Sequence, residues 1–191
     1  MQPTRREFLA ALACLPAGAA FAQVSAGANA GVSRMTAYAF SFPGLDGGTI
    51  NLADYAGKPV LVVNTASFCG YTNQFGGLAK LHEAYREKGL VVIGVPSNDF
   101  GAQEPGGPKE IAATASEYKV RFPLTAKTPV KGANAHRFYK WAAAERPGET
   151  PSWNFHKYLI GRDGLLAASF STQTRPDDAK LIAAIERELG G

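Results

Sequence analysis

Cysteine is scarce in this chain: two of 191 residues, Cys14 and Cys69. That scarcity excludes a disulfide-stapled scaffold and a cysteine-rich zinc site. The histidines, His82, His136 and His156, stand far apart with no ligand spacing, so no metal and no cofactor is expected. No basic run interleaved with aromatics occurs either. The pI of about 9.1 and the formal charge of +4 describe an ordinary mixed-sign surface, and no nucleic-acid partner is expected. Internal repeats and low-complexity blocks are missing. So, beyond the N-terminal stretch, is any apolar run long enough to cross a bilayer, which argues against stable membrane insertion.

The N-terminal stretch "TRREFLAALACLPAGAAFA" reads as an export signal covering residues 1–22. Arg5 and Arg6 supply its positive start, Phe8 onward a short apolar run, and Ala20-Phe21-Ala22 a small-x-small cleavage site. The arginine pair resembles the twin-arginine signal of bacteria, so a periplasmic destination is expected. A Sec signal is the alternative. Cleavage would remove Cys14 and leave Cys69 as the single cysteine. Residues 23–36 are small, polar and patternless, a flexible lead-in to one domain over 37–191.

Within that domain "AYAFSF" and "TINL" flank a Gly-rich turn and predict a hairpin. "PVLVVNTAS" and "LVVIGVPS" are apolar, β-branched runs that fit strands buried on both faces. Between them Leu78, Leu81 and Tyr85 share one helical face, with Gly89 as the stop. This is a βαβ unit with a parallel strand pair. A helix is predicted over 109–118 behind Pro108, and another over 134–144. "KYLIG" and "LLAASF" then form an antiparallel hairpin across "RDG", and an amphipathic helix over 177–189 closes the chain. A βαβ unit followed by a ββα unit is the thioredoxin-like layout: α/β, with a central mixed sheet flanked by helices.

Cys69 falls just past the C-terminal end of the first central strand and ahead of a helix, the edge where open α/β sheets carry reactive groups. A helix dipole there favours thiolate over thiol. The bland alternative is a buried structural thiol. Against it, Ser67, Gly70, Thr72 and Asn73 make its surroundings a polar turn rather than a core.

Three blocks, "NTASFCGYTNQFGGLAKLHEAY", "GLVVIGVPSNDFGAQEPG" and "WNFHKYLIGRDG", in this order and spacing resemble the glutathione peroxidase family. The resemblance runs from about Phe40 to Leu189. It implies a thioredoxin-like fold with Cys69 as peroxidatic residue, surrounded by Gln103, Trp153 and Asn154. Amide and indole N–H groups are neutral donors that stabilise a thiolate and the charge developing on a leaving oxygen. The resemblance also implies hydrogen peroxide or an organic hydroperoxide as substrate, a sulfenic acid intermediate, and an external thiol reductant, glutathione or a thioredoxin-like protein.

The chain departs from the family pattern at Ser97, where a cysteine is familiar, at Asp99, where glutamine is, and at Asn73, where proline is common. Asp99 would oppose a thiolate if it pointed inward, and the expectation is that it faces the loop. Near Ala115, where many cysteine-type members carry a resolving cysteine, there is none. The stretch between Trp141 and Pro151 lacks a long insertion, which favours a monomer. A peroxiredoxin would require a "PxxxTxxC" pattern that "NTASFC" does not match. A peroxide sensor that signals by mixed disulfide through Cys69 is the second reading.

Overall fold

The structure is a computed structural model and describes residues 34–190. Residues 1–22, where an export signal is expected, and most of the expected lead-in over 23–36 lie outside the described residues.

Strand β3 (Val60–Thr65) is the centre of the fold, and its β-branched side chains are buried on both faces. It pairs in parallel with β4 (Val91–Pro96) and antiparallel with β5 (Lys157–Ile160), which pairs with β6 (Leu166–Phe170). The four-stranded order is β4-β3-β5-β6, the mixed sheet of a thioredoxin-like fold. A separate hairpin joins β1 (Ser41–Pro43) to β2 (Thr49–Asn51). Helix α1 (Gln74–Tyr85) connects β3 to β4. It gives way to a single tighter turn and stops at Gly89, whose φ of 108° a side chain would resist. Helices α2 (Pro108–Glu117), α3 (Arg137–Glu145) and α4 (Ala179–Leu189) complete the chain.

Because side chains alternate along a strand, the sheet sorts its residues to two cores. Val60, Val62, Tyr158 and Ile160 meet Phe40, Phe42, Phe138 and Trp141 on the side of α3. Leu61, Val63 and Leu159 meet Phe75, Leu78, Leu181 and Ile185 on the side of α1 and α4, and Cys69 belongs to this second cluster. The outer edge of β4 is covered by the chain around Leu124. There Thr125 N donates to Gly94 O at 2.9 Å and Gly94 N to Pro123 O at 3.0 Å. A Cβ on Gly94 would stand 2.5 Å from Leu124, so this close approach requires glycine.

Two predicted boundaries move. Residues 37–39 form a short 3-10 turn rather than the first arm of the hairpin, since Ala37 N is claimed by Gly164 O at 2.8 Å. The helix predicted over 134–144 begins at Arg137, because Ala135 closes a turn onto Gly132 and His136 Nδ1 caps the helix by accepting from Phe138 N at 3.3 Å.

Candidate active site

Three loops converge beyond the C-terminal end of β3. The first carries Cys69 between β3 and α1. Thr72 winds it: its Oγ1 accepts from the Cys69 amide at 3.0 Å, and its proton has the Cys69 and Ala66 carbonyls within reach at 2.8 and 2.9 Å. This turn aims the Tyr71 amide at Cys69 Sγ, 3.4 Å away. Cys69 is buried at 7% exposure, in a wall of Ala66, Phe75 and Phe155.

The second loop spans 97–107. Phe68 N donates to Gln103 O at 3.0 Å, fastening it to the residue beside the sulfur. Gly101 and Ala102 both take positive φ, 65° and 51°, and the alanine there is a conformation held by its surroundings. Those surroundings are explicit. Lys127 Nζ donates to the carbonyls of Glu104 and Gly106 at 3.1 and 2.7 Å, and Asn98 Oδ1 accepts from Glu104 N at 2.8 Å. Asp99 Oδ2 accepts from Val130 N at 2.6 Å and Lys131 N at 3.1 Å, so it faces the loop.

The third loop delivers Trp153 and Asn154. Phe155 follows at φ 62°, a costly conformation for a bulky residue. Asn64 of β3 holds it. Asn64 O accepts from Phe155 N at 2.6 Å, Asn64 N donates to His156 O at 3.2 Å, and Asn64 Nδ2 donates to Trp153 O at 3.1 Å.

The second and third loops meet side chain to side chain. Asn154, fully buried, donates from Nδ2 to Gln103 Oε1 at 3.0 Å. A Cβ on Gly101 would stand 3.4 Å from both Trp153 Cη2 and Gln103 Cγ, so indole and amide flank the same glycine. Trp153 packs on Phe100 with centroids 6.0 Å apart and keeps 38% of its surface exposed. The four residues singled out in the sequence therefore lie on three loops, the second of which is bonded to each of the other two. The Tyr71 amide supplies the bond to sulfur, while the Asn154 amide is spent on Gln103 and on Phe100 O at 3.5 Å.

Further polar groups around these loops escaped the sequence reading. Glu104 is 1% exposed, and its carboxyl is held above the usual carboxylate range by burial, opposed by the Ser67 hydroxyl at 3.2 Å. Lys157 is fully buried on the α1 side of β5, with its ammonium donating to Gln74 Oε1, Phe155 O and Thr174 O at 2.6, 2.8 and 2.5 Å. Burial pushes this lysine down to about 7. His156 is pushed down to about 4, by burial first and by Lys157 second. A lysine inside a strand carries no sequence signal of burial. Among the described residues no cluster of His, Cys, Asp or Glu could hold a metal.

A mixed sheet of this order, with a cysteine just past the end of its central strand, defines a protein of the thioredoxin-like fold class. A thiol:disulfide interchange protein of Chlorobium tepidum, 14% identical, shares the fold with a TM-score of 0.61 over 79% of this chain and 93% of its own. The family model for glutathione peroxidase matches residues 37–143. A hydroperoxy fatty acid reductase of Synechocystis is 52% identical over 76% of this chain and 94% of its own length. A glutathione peroxidase of Lactococcus lactis is 42% identical over 75% and 94%. The crystal structure of Trgpx in apo form aligns with a TM-score of 0.65 and 37% identity, over 81% of this chain and 97% of that one. The chain belongs to the glutathione peroxidase family. It is a peroxidase that reduces peroxides at the expense of thiols.

Proposed function

We propose that Cys69 is the peroxidatic nucleophile, with Gln103, Trp153 and Asn154 completing the site. The Cys69 sulfur attacks the distal peroxide oxygen, the O–O bond breaks, and the thiol's proton ends on the departing alcohol or water, leaving a sulfenic acid. One external thiol condenses with the sulfenic acid to a mixed disulfide with loss of water. A second thiol releases Cys69 and departs as the oxidised disulfide.

One observation carries this assignment: the Gln103–Asn154 contact. With Gln103 Oε1 occupied by Asn154, the free end of the Gln103 amide is its N–H2, a neutral donor beside the loop that bears the sulfur. Asn154 is a positioning residue in this reading, while Gln103 and the Trp153 indole meet the peroxide. The test is steady-state peroxide consumption with glutathione, with thioredoxin and with no thiol, for wild type and Cys69→Ser. Serine should abolish turnover while the fold survives. Turnover near the wild-type rate would remove Cys69 from the mechanism, and single-turnover oxidation without thiol-driven cycling would make the protein a sensor.

The exported form has a single cysteine in this proposal, so reductant must come from outside the chain. Peroxide without thiol should then add two or three oxygens to Cys69. Intact-mass spectra that stop at the sulfenic level would refute the one-cysteine cycle. A twin-arginine signal would carry the folded protein to the periplasm, and fractionation of a variant with lysines at positions 5 and 6 checks it: continued export favours Sec. The short stretch between Trp141 and Pro151 supports a monomer, which light scattering would test. The Synechocystis relatives act on hydroperoxy fatty acids by name, and long-chain hydroperoxides are proposed as substrates here.

A further inference from the structure

Lys157 is fully buried at the start of β5, and a buried ammonium is tolerated only where each of its protons finds an acceptor. Here the match is complete. Three protons meet three oxygens, Gln74 Oε1, Phe155 O and Thr174 O, at 2.6, 2.8 and 2.5 Å. That match accounts for how the charge survives, not for its presence, since an apolar side chain would fill the same space without the cost of desolvation. The partners supply the reason.

Phe155 follows Asn154 directly and holds its costly φ of 62°, so its carbonyl is a bond that keeps the strained conformation in place. Gln74 opens α1, the helix that follows the Cys69 turn. A lysine can only donate, so Gln74 turns its oxygen to Lys157 and has its Nε2 left for Thr172 O, at 2.7 Å. The Thr172 hydroxyl then donates to Asn154 O, also at 2.7 Å. One network therefore holds the carbonyls of both Asn154 and Phe155, while Asn64 O holds the Phe155 amide at 2.6 Å.

Asn154 depends on this hold. Its Nδ2 faces Gln103 Oε1 at 3.0 Å, but its Oδ1 has no partner among the described residues. The backbone thus fixes where the side chain points. Gln74, Thr172, Asn154 and Lys157 are all buried, where such bonds are strong when made and costly when broken.

We propose that Lys157 is a positioning residue of the peroxidase site: through Phe155 O, Gln74 and Thr172 it fixes Asn154, and through Asn154 it fixes which end of the Gln103 amide faces the Cys69 loop. The proposal rests on the reading of Gln103 as the donor that meets the peroxide. With the network cut, the backbone at Phe155 relaxes and Asn154 turns off Gln103 Oε1. The freed amide can then present its oxygen, replacing a donor by an acceptor.

The experiment measures the rate constant for Cys69 oxidation by hydrogen peroxide, by rapid-mixing fluorescence, in the folded protein. The variants are Lys157→Met, Thr172→Val, Gln103→Ala and the Lys157→Met/Gln103→Ala pair, with Phe138→Leu as a destabilised control on the opposite face of the sheet. Lys157→Met should be slower about tenfold and Thr172→Val about threefold, with Phe138→Leu at the wild-type rate. The pair decides the matter. It should be no slower than Gln103→Ala alone, because Lys157 acts through Gln103. Losses that multiply in the pair would overturn the proposal, as would wild-type rates in both Lys157→Met and Thr172→Val, or a Phe138→Leu protein as slow as Lys157→Met. If Lys157→Met fails to fold, Thr172→Val, which only trades a hydroxyl for a methyl, carries the same test alone and paired with Gln103→Ala. Gln103→Ala at the wild-type rate would instead sink the reading of Gln103, and a wild-type Cys69 left reduced by peroxide would sink the peroxidase assignment beneath it.

Discussion

The two faces of the sheet are built from the same strands and use different chemistry. Toward α3 the core is aromatic: Phe138 stands edge-on to Phe40 and Phe42 at 6.1 and 5.6 Å, and Tyr158 lies 6.2 Å from it. Toward α1 and α4 the core mixes leucine and valine with Phe75, Phe122 and Phe155, and shares its space with a buried lysine and the buried thiol. The first face holds the fold together by area and shape. The second spends burial on polar groups, which are worth having only where each finds a partner. The difference assigns stability and chemistry to opposite sides of one sheet.

That division can be broken in order of effect. Phe138→Ala should cost about 3–5 kcal/mol of unfolding free energy in urea melts while leaving the chemical step of surviving folded protein unchanged. A matching fall in the oxidation rate would show that the aromatic face also shapes the site. Gln103→Ala works in the opposite sense. It should slow oxidation of Cys69 roughly 10²-fold, equivalent to about 2.7 kcal/mol, as followed by rapid-mixing fluorescence, with a smaller stability cost of about 1 kcal/mol from the Asn154 amide it leaves short of an acceptor.

Lys157→Met is the intermediate case, because it strips donors from Gln74, Phe155 and Thr174 at once, for about 1–3 kcal/mol. Its pH signature is specific. The folded lysine titrates near 7 against an ordinary 10.5, so between those values the unfolded chain binds the extra proton. Wild type should therefore gain stability over Lys157→Met as pH rises from about 7 toward 10.5. A constant difference across that window would mean that the lysine is not depressed in the folded state.

The strands and α4 were legible from periodicity alone, since β-branched runs buried on both faces and an amphipathic helix announce themselves locally. The two displaced boundaries were set by tertiary hydrogen bonds, at Ala37 and at the His136 cap, which no local pattern carries. Cys69 was legible from its place after a strand. Gln103, Trp153 and Asn154 were legible only through the family resemblance, and their bonding was not. The Asn154–Gln103 contact, the hold of Asn64 on Trp153 and the Lys157 cradle join residues distant in sequence. Polar residues of this kind read as solvated until a fold buries them. The Asp99 substitution was read correctly as loop-facing, because an aspartate beside a turn finds backbone amides nearer than a thiol.

Asn64 has one more consequence. Its amide nitrogen, its carbonyl and its side chain each bind the segment from Trp153 to His156, and it sits on the strand that runs directly into the Cys69 turn. The Cys69 turn and the Trp153–Asn154 loop are thus pinned to a single strand. A thermal displacement of that strand carries both along together, so their separation is steadier than the position of either one. In the proposed reaction, peroxide would approach Cys69 between two segments that share one strand, rather than between two loops anchored independently.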